Sequence, residues 1–296
     1  MTRLSAHDIR SYVAMREQAL GQRMSCTHRQ YAGAIGILRT FLGKDWLDRV
    51  HRDAGTFLRP LQHTAIDAYK RQDRAVDLAE LLLNLSDVEG WDARVDSLRT
   101  SDVETALSEL EGARLLHVHG YSFRFVRPSG HRGHDFDVEA QIDDQLIPCE
   151  MKAKLERGKP TPTSVRDTLA KARSQLPKST PGVVFMKVPE SWTTDVVAAD
   201  AIKSGVRDAL RNSTRLHVVF VHWEEWRLLS EAKTSDGAVR AARVRPFPNS
   251  VVDPRVATLI DRIEGPSQSF APWTSLQRIL CEKADIARLD AMAEGN

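Results

Sequence analysis

The stretch Asp135–Lys152, DFDVEAQIDDQLIPCEMK, constrains this 296-residue chain more than any other. Phe136, Val138, Ala140 and Ile142 alternate with Asp135, Asp137, Glu139 and Gln141, the period of two that marks a strand. Asp143–Asp144 separates this run from a second one, so the stretch reads as an antiparallel hairpin with a tight acidic turn. A two-residue turn sets Ile142 against Gln145, Asp137 against Glu150 and Asp135 against Lys152. Ile147, Cys149 and Met151 then share a face with Phe136, Val138 and Ala140. The other face holds two carboxylates with a lysine two residues on. Directly opposed residues have Cβ atoms about 4.5–5.5 Å apart, where like charges destabilise. Such a pair suits a hard divalent cation with oxygen ligands. Lys152 beside it could hold a phosphate oxygen or a water. The plainer reading is a surface hairpin whose solvated face carries charges.

The elements around the hairpin supply further polar groups. Val103, Ala106, Leu107, Leu110 and Ala113 form the apolar stripe of a helix, and Ser101 with Glu104 has the spacing of a capping box. Glu104 and Glu111 share a face roughly opposite that stripe. Glu109 sits at its edge beside Ala113 and Gly112, small residues that let another element approach, so Glu109 is the inward-aimed carboxylate. A strand over 121–126 and a Pro/Gly turn, RPSGHRGH, lead into Asp135. Ser129, His131, Arg132 and His134 on that turn read as a phosphate-contacting rim, or as a solubilising loop. Val165, Leu169, Ala172 and Leu176 mark a later helix whose Gln175 could reach substrate, although its polar face could equally be solvated. GVVFMKV (182–188) and LHVVFV (216–221) are apolar runs expected of strands covered on both faces, with a helix over 197–210 between them.

The first hundred residues read as helical, with Tyr31, Ala34, Ile35, Leu38, Phe41 and Leu42 in one stripe and Leu78, Leu81, Leu82 and Leu85 in another. No nucleophile or metal-ligand spacing occurs there. The expected organisation is a helical domain over 1–98, an α/β core with a mixed sheet over 99–230, and an extension over 231–296. That extension contains an irregular PFPNSVVDP stretch, a short helix at 255–263 and a closing helix at 274–293. It packs on the core or forms an oligomer contact, as in a homodimer.

Glu109, Asp137 and Glu150-Met151-Lys152 on an αβββαβ order resemble the PD-(D/E)XK nuclease superfamily, with restriction-endonuclease-like folds. The Asp137-to-Glu150 spacing is similar to that of archaeal-type Holliday-junction resolvases. The resemblance covers roughly residues 101–225. It implies Mg²⁺-dependent hydrolysis of a DNA phosphodiester, with Mn²⁺ as a substitute ion, in repair, restriction or host defence. Asp137 and Glu150 would be metal ligands, Glu109 would complete the shell directly or through water, and Lys152 would orient the attacking water. Two departures stand out. Phe136 replaces the family's proline, and Pro148 interrupts the second strand, which then needs an edge position or a bulge. Asp135 is the alternative ligand if the register shifts by one pair. The rival function is a non-catalytic nucleic-acid-binding or assembly module that keeps the fold.

Charge and cysteine content narrow the classes. A formal net charge of +2 is only mildly basic, so a nucleic-acid partner needs a local positive patch. Cys26, Cys149 and Cys281 are few, scattered and odd in number, which argues against a disulfide framework and fits a cytoplasmic protein. No apolar run approaches a membrane span. No P-loop or Ser/His/Asp arrangement supports an NTPase or an acyl-transfer route. The HxH pair His117/His119 lacks the further ligands a zinc site needs.

Overall fold

A computed structural model describes residues 4–52, 65–100, 103–127, 130–131, 135–154, 158–211, 213–228, 238–264 and 273–283. Five helices come first: α1 (Ala6–Leu20), α2 (Cys26–Leu42), α3 (Lys44–Arg52), α4 (Ala65–Asn84) and α5 (Trp91–Thr100). Next come α6 (Val103–Val118), β1 (Phe123–Phe125), β2 (Val138–Ile142), β3 (Gln145–Ala153), α7 (Pro162–Gln175) and β4 (Gly182–Lys187). The chain continues through α8 (Ser191–Thr194), α9 (Val196–Leu210), β5 (Leu216–Leu228), β6 (Ala238–Pro248), α10 (Pro254–Glu264) and α11 (Leu276–Leu280). The architecture is α/β. One six-stranded mixed sheet runs in the order β1-β2-β3-β4-β5-β6. The β3–β4 and β4–β5 pairs are parallel, while β1–β2, β2–β3 and β5–β6 are antiparallel.

The β2–β3 hairpin has the anticipated register. Ile142 pairs with Gln145 and Val138 with Cys149 across a turn in which Asp143 (φ 46°) and Asp144 (φ 61°) are both left-handed. Positive φ at both central residues matches the right-handed twist of the flanking strands, and aspartate tolerates it better than most side chains. Pro148 pairs with Glu139 on β2, and β4 first meets β3 one residue later, at Cys149. The proline therefore lies at the end of the β4 ladder, where its missing N–H breaks no β3–β4 bond.

Period-two alternation sorts the sheet into two faces. Val138, Ala140, Cys149, Met151, Val183, Phe185, Val218 and Phe220 join the N-terminal helices, α6, α10 and α11 in one continuous core. Val184, Met186, Val219 and Val221 pack with Val165, Leu169 and Ala172 of α7 and Ile202 and Val206 of α9 in a second core. Phe136 departs from the sequence reading, because it packs in this second core, not beside Val138. The chain bends at Asp137, so the alternation does not extend back to Phe136.

Three other expectations change. β6 pairs with β5 along its whole length, so the sheet continues past residue 230 into the region read as irregular. Glu111 is buried and not on an outward face, because Lys187 of β4 reaches it at 2.5 Å. Cys26 and Cys281 form a disulfide with Cα atoms 5.4 Å apart, against the expectation of no disulfide, and Cys149 is free and buried. The pairing joins residues 255 positions apart, so nothing local in the sequence signals it. The capping residue proposed at Ser101 lies outside the described residues. The closing helix expected over 274–293 is cut short, because α11 ends at Leu280 where Cys281 turns extended, and its part beyond residue 283 lies outside the described residues. Among the described residues, no helix is long and apolar enough to cross a membrane.

Candidate active site

Asp137 opens β2 at the end of the sheet where β1 finishes. Its N–H donates to the Cys149 carbonyl (3.2 Å), and its Oδ2 accepts from the Met151 N–H (2.8 Å). The side chain thus takes over a backbone donor of β3 and is fixed beside Glu150. Asp135, the alternative ligand, instead accepts from the Gly130 N–H through Oδ1 (3.0 Å). The register therefore brings Asp137, not Asp135, against Glu150.

Glu150 is fully buried on the face that packs against α7. Its Oε1 is ion-paired with Lys152 Nζ, and its Oε2 has no donor when ionised, but once protonated hydrogen-bonds to the Asp137 carboxylate. Burial first, and then the charge of Asp137, push Glu150 up to about 9, with Lys152 opposing. A buried carboxylate oxygen with no donor costs about 1–3 kcal/mol or more, so a native orphan asks for an explanation. Lys152 Nζ also donates to Gln175 Oε1 (3.0 Å), and Gln175 Nε2 donates to the Asp135 carbonyl (3.2 Å). Gln175 is thereby locked between the lysine and the strand entry.

Glu109 enters from α6. That helix sits close because Gly112 faces Met151: a Cβ at Gly112 would fall inside the 3.0 Å that real Cβ atoms respect from Met151 Sδ. The packing reason expected for Gly112 is therefore a side chain of the strand that carries Glu150 and Lys152. Burial, followed by Asp137, pushes Glu109 up to about 7. Its carboxylate is held by Arg94 of α5, a residue the sequence reading missed. Arg94 Nη1 also lies 3.7 Å from Asp137 Oδ1, and its Nη2 donates to the carbonyls of Val126 (2.9 Å) and Asp137 (3.0 Å). The signal was present. Trp91, Arg94, Val95 and Leu98 fall at i, i+3, i+4 and i+7, which places a cation on the buried stripe of α5.

Among the proposed rim residues, His131 is exposed, whereas Ser129, Arg132 and His134 lie outside the described residues. Glu104, the other candidate glutamate on α6, is paired with Arg74.

A second acidic group lies elsewhere on the sheet. Asp77, Glu111 and Glu224 place carboxylate oxygens within 4.8 Å of one another, which Glu109, Asp137 and Glu150 do not. Each is already matched by cations. Arg114 (2.5 Å) and Arg240 (2.7 Å) meet Asp77, Lys187 meets Glu111, and Arg240 meets Glu224 (3.0 Å). Burial would raise Asp77, but Arg240 and Arg114 outweigh it and hold the group well below the usual carboxylate range. This is a charge-compensated network tying α4 and α6 to β4–β6. Glu111 Oε2 is buried without a partner as well, so an orphaned oxygen is common to both groups. The hairpin group differs in setting Glu109, Asp137 and Glu150 against only Arg94 and Lys152, where Asp77, Glu111 and Glu224 meet Arg114, Lys187 and Arg240. In comparison with known protein families, curated proteins and solved structures, the chain matches none.

Proposed function

We propose that the chain is a divalent-cation-dependent nuclease that hydrolyses a DNA phosphodiester at the site formed by Asp137, Glu150 and Lys152. The observation that carries this reading is the buried, donor-less Oε2 of Glu150 beside the Asp137 carboxylate. Two fixed acid groups with an unmatched oxygen are a donor set for a hard cation, Mg²⁺ or Mn²⁺. The element order from α6 through β1–β3, α7 and β4 supports the PD-(D/E)XK resemblance, as does the placement of Glu109, Asp137, Glu150 and Lys152 around one end of the sheet.

Asp137 and Glu150 would hold the ion, which when bound lowers the pKa of water and offsets charge on the scissile phosphate. Asp137 is pre-set by the Met151 N–H, so its carboxylate does not reorganise during reaction. Lys152, steadied by Gln175, presents an ammonium that steers the attacking water and stabilises charge gathering on the phosphoryl oxygens. Burial of Glu150 excludes bulk water from one side of the site and strengthens these interactions.

The test combines a Mn²⁺ titration of the purified protein with a panel of labelled duplex, flap and junction DNAs in Mg²⁺ or Mn²⁺. Wild type should bind the ion and cut at least one DNA; Asp137→Asn and Lys152→Ala should remain folded and lose cleavage. Cleavage retained in both variants removes the assignment. The second reading, a non-catalytic DNA-binding module, draws on Arg94, whose guanidinium already neutralises part of the acidic group. DNA binding without ion uptake would favour it.

A further inference from the structure

We infer that Arg94 stands in for a second cation, so that the site takes up a single divalent ion and Glu109 serves as the anchor of Arg94. This rests on the proposed nuclease reading. Arg94 is 8% exposed; its guanidinium packs 5.6 Å from the ring centroid of Phe125 and bridges Glu109 to Asp137. Two backbone carbonyls, from the end of β1 and the start of β2, hold its Nη2. Four polar contacts and the Phe125 ring leave it little freedom, unlike a lysine, which would offer a point charge on a mobile stem.

The division of acids follows from the pairing. Glu109 Oε2 is taken by Arg94, whereas Glu150 Oε2 has no partner. Asp137 touches both sides: Oδ2 is bound to the Met151 N–H, and Oδ1 lies at ion-pair distance from Arg94. The buried carboxylate oxygen without a partner thus lies on the Glu150 side, while the Glu109 carboxylate already carries the guanidinium. On the Glu109 side the positive charge is already covalently part of the chain, supplied by α5. The N-terminal helices thus gain a role at the hairpin site: they deliver a fixed cation to it.

The experiment is calorimetric titration of Mn²⁺ alone, without DNA, into wild type, Arg94→Ala, Glu109→Gln and Arg94→Ala/Glu109→Gln, each checked for folding by circular dichroism. Wild type should take up one ion per chain. Arg94→Ala frees Glu109 and Asp137 and should take up two, or one at least tenfold more tightly. The double variant should return to one ion at the wild-type Kd. Glu109→Gln keeps an acceptor for Arg94 but leaves its charge unbalanced, so it should still take up one ion, with a Kd weakened by less than tenfold. A tenfold or greater loss of affinity in Glu109→Gln overturns the inference even if Arg94→Ala does not fold. An Arg94→Ala protein that binds like wild type overturns it while leaving the nuclease reading intact. No Mn²⁺ uptake by wild type removes both.

Discussion

Replacing Glu150 by glutamine should make the ion-free protein more stable, and the gain should depend on pH. The folded protein holds this carboxyl up to about 9, against 4.5 for an unperturbed glutamate. Between those values the folded state keeps a proton that the unfolded chain has released, so stability falls as pH rises from 4.5 towards 9. Each pH unit in that window costs about 1.4 kcal/mol. At pH 7 the accumulated cost is on the order of 3 kcal/mol. Glutamine has the shape of the protonated acid and does not titrate, so Glu150→Gln should recover most of that amount at pH 7 and almost none at pH 4.5. Urea denaturation in a chelator, at several pH values from 4.5 to 8, measures the difference directly. The m-value should stay the same, because the surface exposed on unfolding does not change. Added Mn²⁺ should then raise the midpoint of wild type but not that of the variant. A stability difference that is flat across pH, or a variant less stable than wild type at pH 7, would refute the reasoning about the orphaned oxygen.

Three further outcomes are expected. Cys26→Ser opens a loop spanning 255 positions and should lower stability by roughly 5 kcal/mol on a chain-entropy basis, read as a lower urea midpoint matched by wild type under reductant. Gly112→Val pushes a branched side chain against Met151 and should cost about 1–3 kcal/mol; its thermal unfolding temperature should fall more than that of Gly112→Ala, for which Met151 need only shift. Lys187→Met leaves Glu111 buried beside Asp77 and Glu224 without its cation and should cost about 3–5 kcal/mol by denaturant titration, with much of the loss restored in Lys187→Met/Glu111→Leu.

The hairpin register was readable because alternation and a two-residue turn leave a single pairing, and a slip by one residue would expose a whole face. Gln175 was readable as a polar residue on the helix following the lysine strand, and Gly112 as a mid-helix glycine that needed a packing reason. Arg94 was readable only as a cation on the stripe of α5, not as part of the site, because its partners come from α6 and from the ends of β1 and β2. β6 was missed because Pro246 and Pro248 demote a strand, yet among the described residues β6 is the edge strand beside β5, a position that tolerates them. Glu111 was misassigned because helical periodicity says which residues share a face but not that two elements cover both faces. Burial there depends on Lys187, 76 residues away.

The Cys26–Cys281 bond has a mechanical consequence. Between those two sulfurs the polypeptide is a closed ring that contains all six strands of the sheet, with α1 outside it. A pull applied to the chain outside the two cysteines would load the covalent link, leaving the sheet and the Asp137–Glu150 pair untouched. After reduction, the same pull would reach the seam where α11 lies against α1 and α2 before it reached β2 and β3.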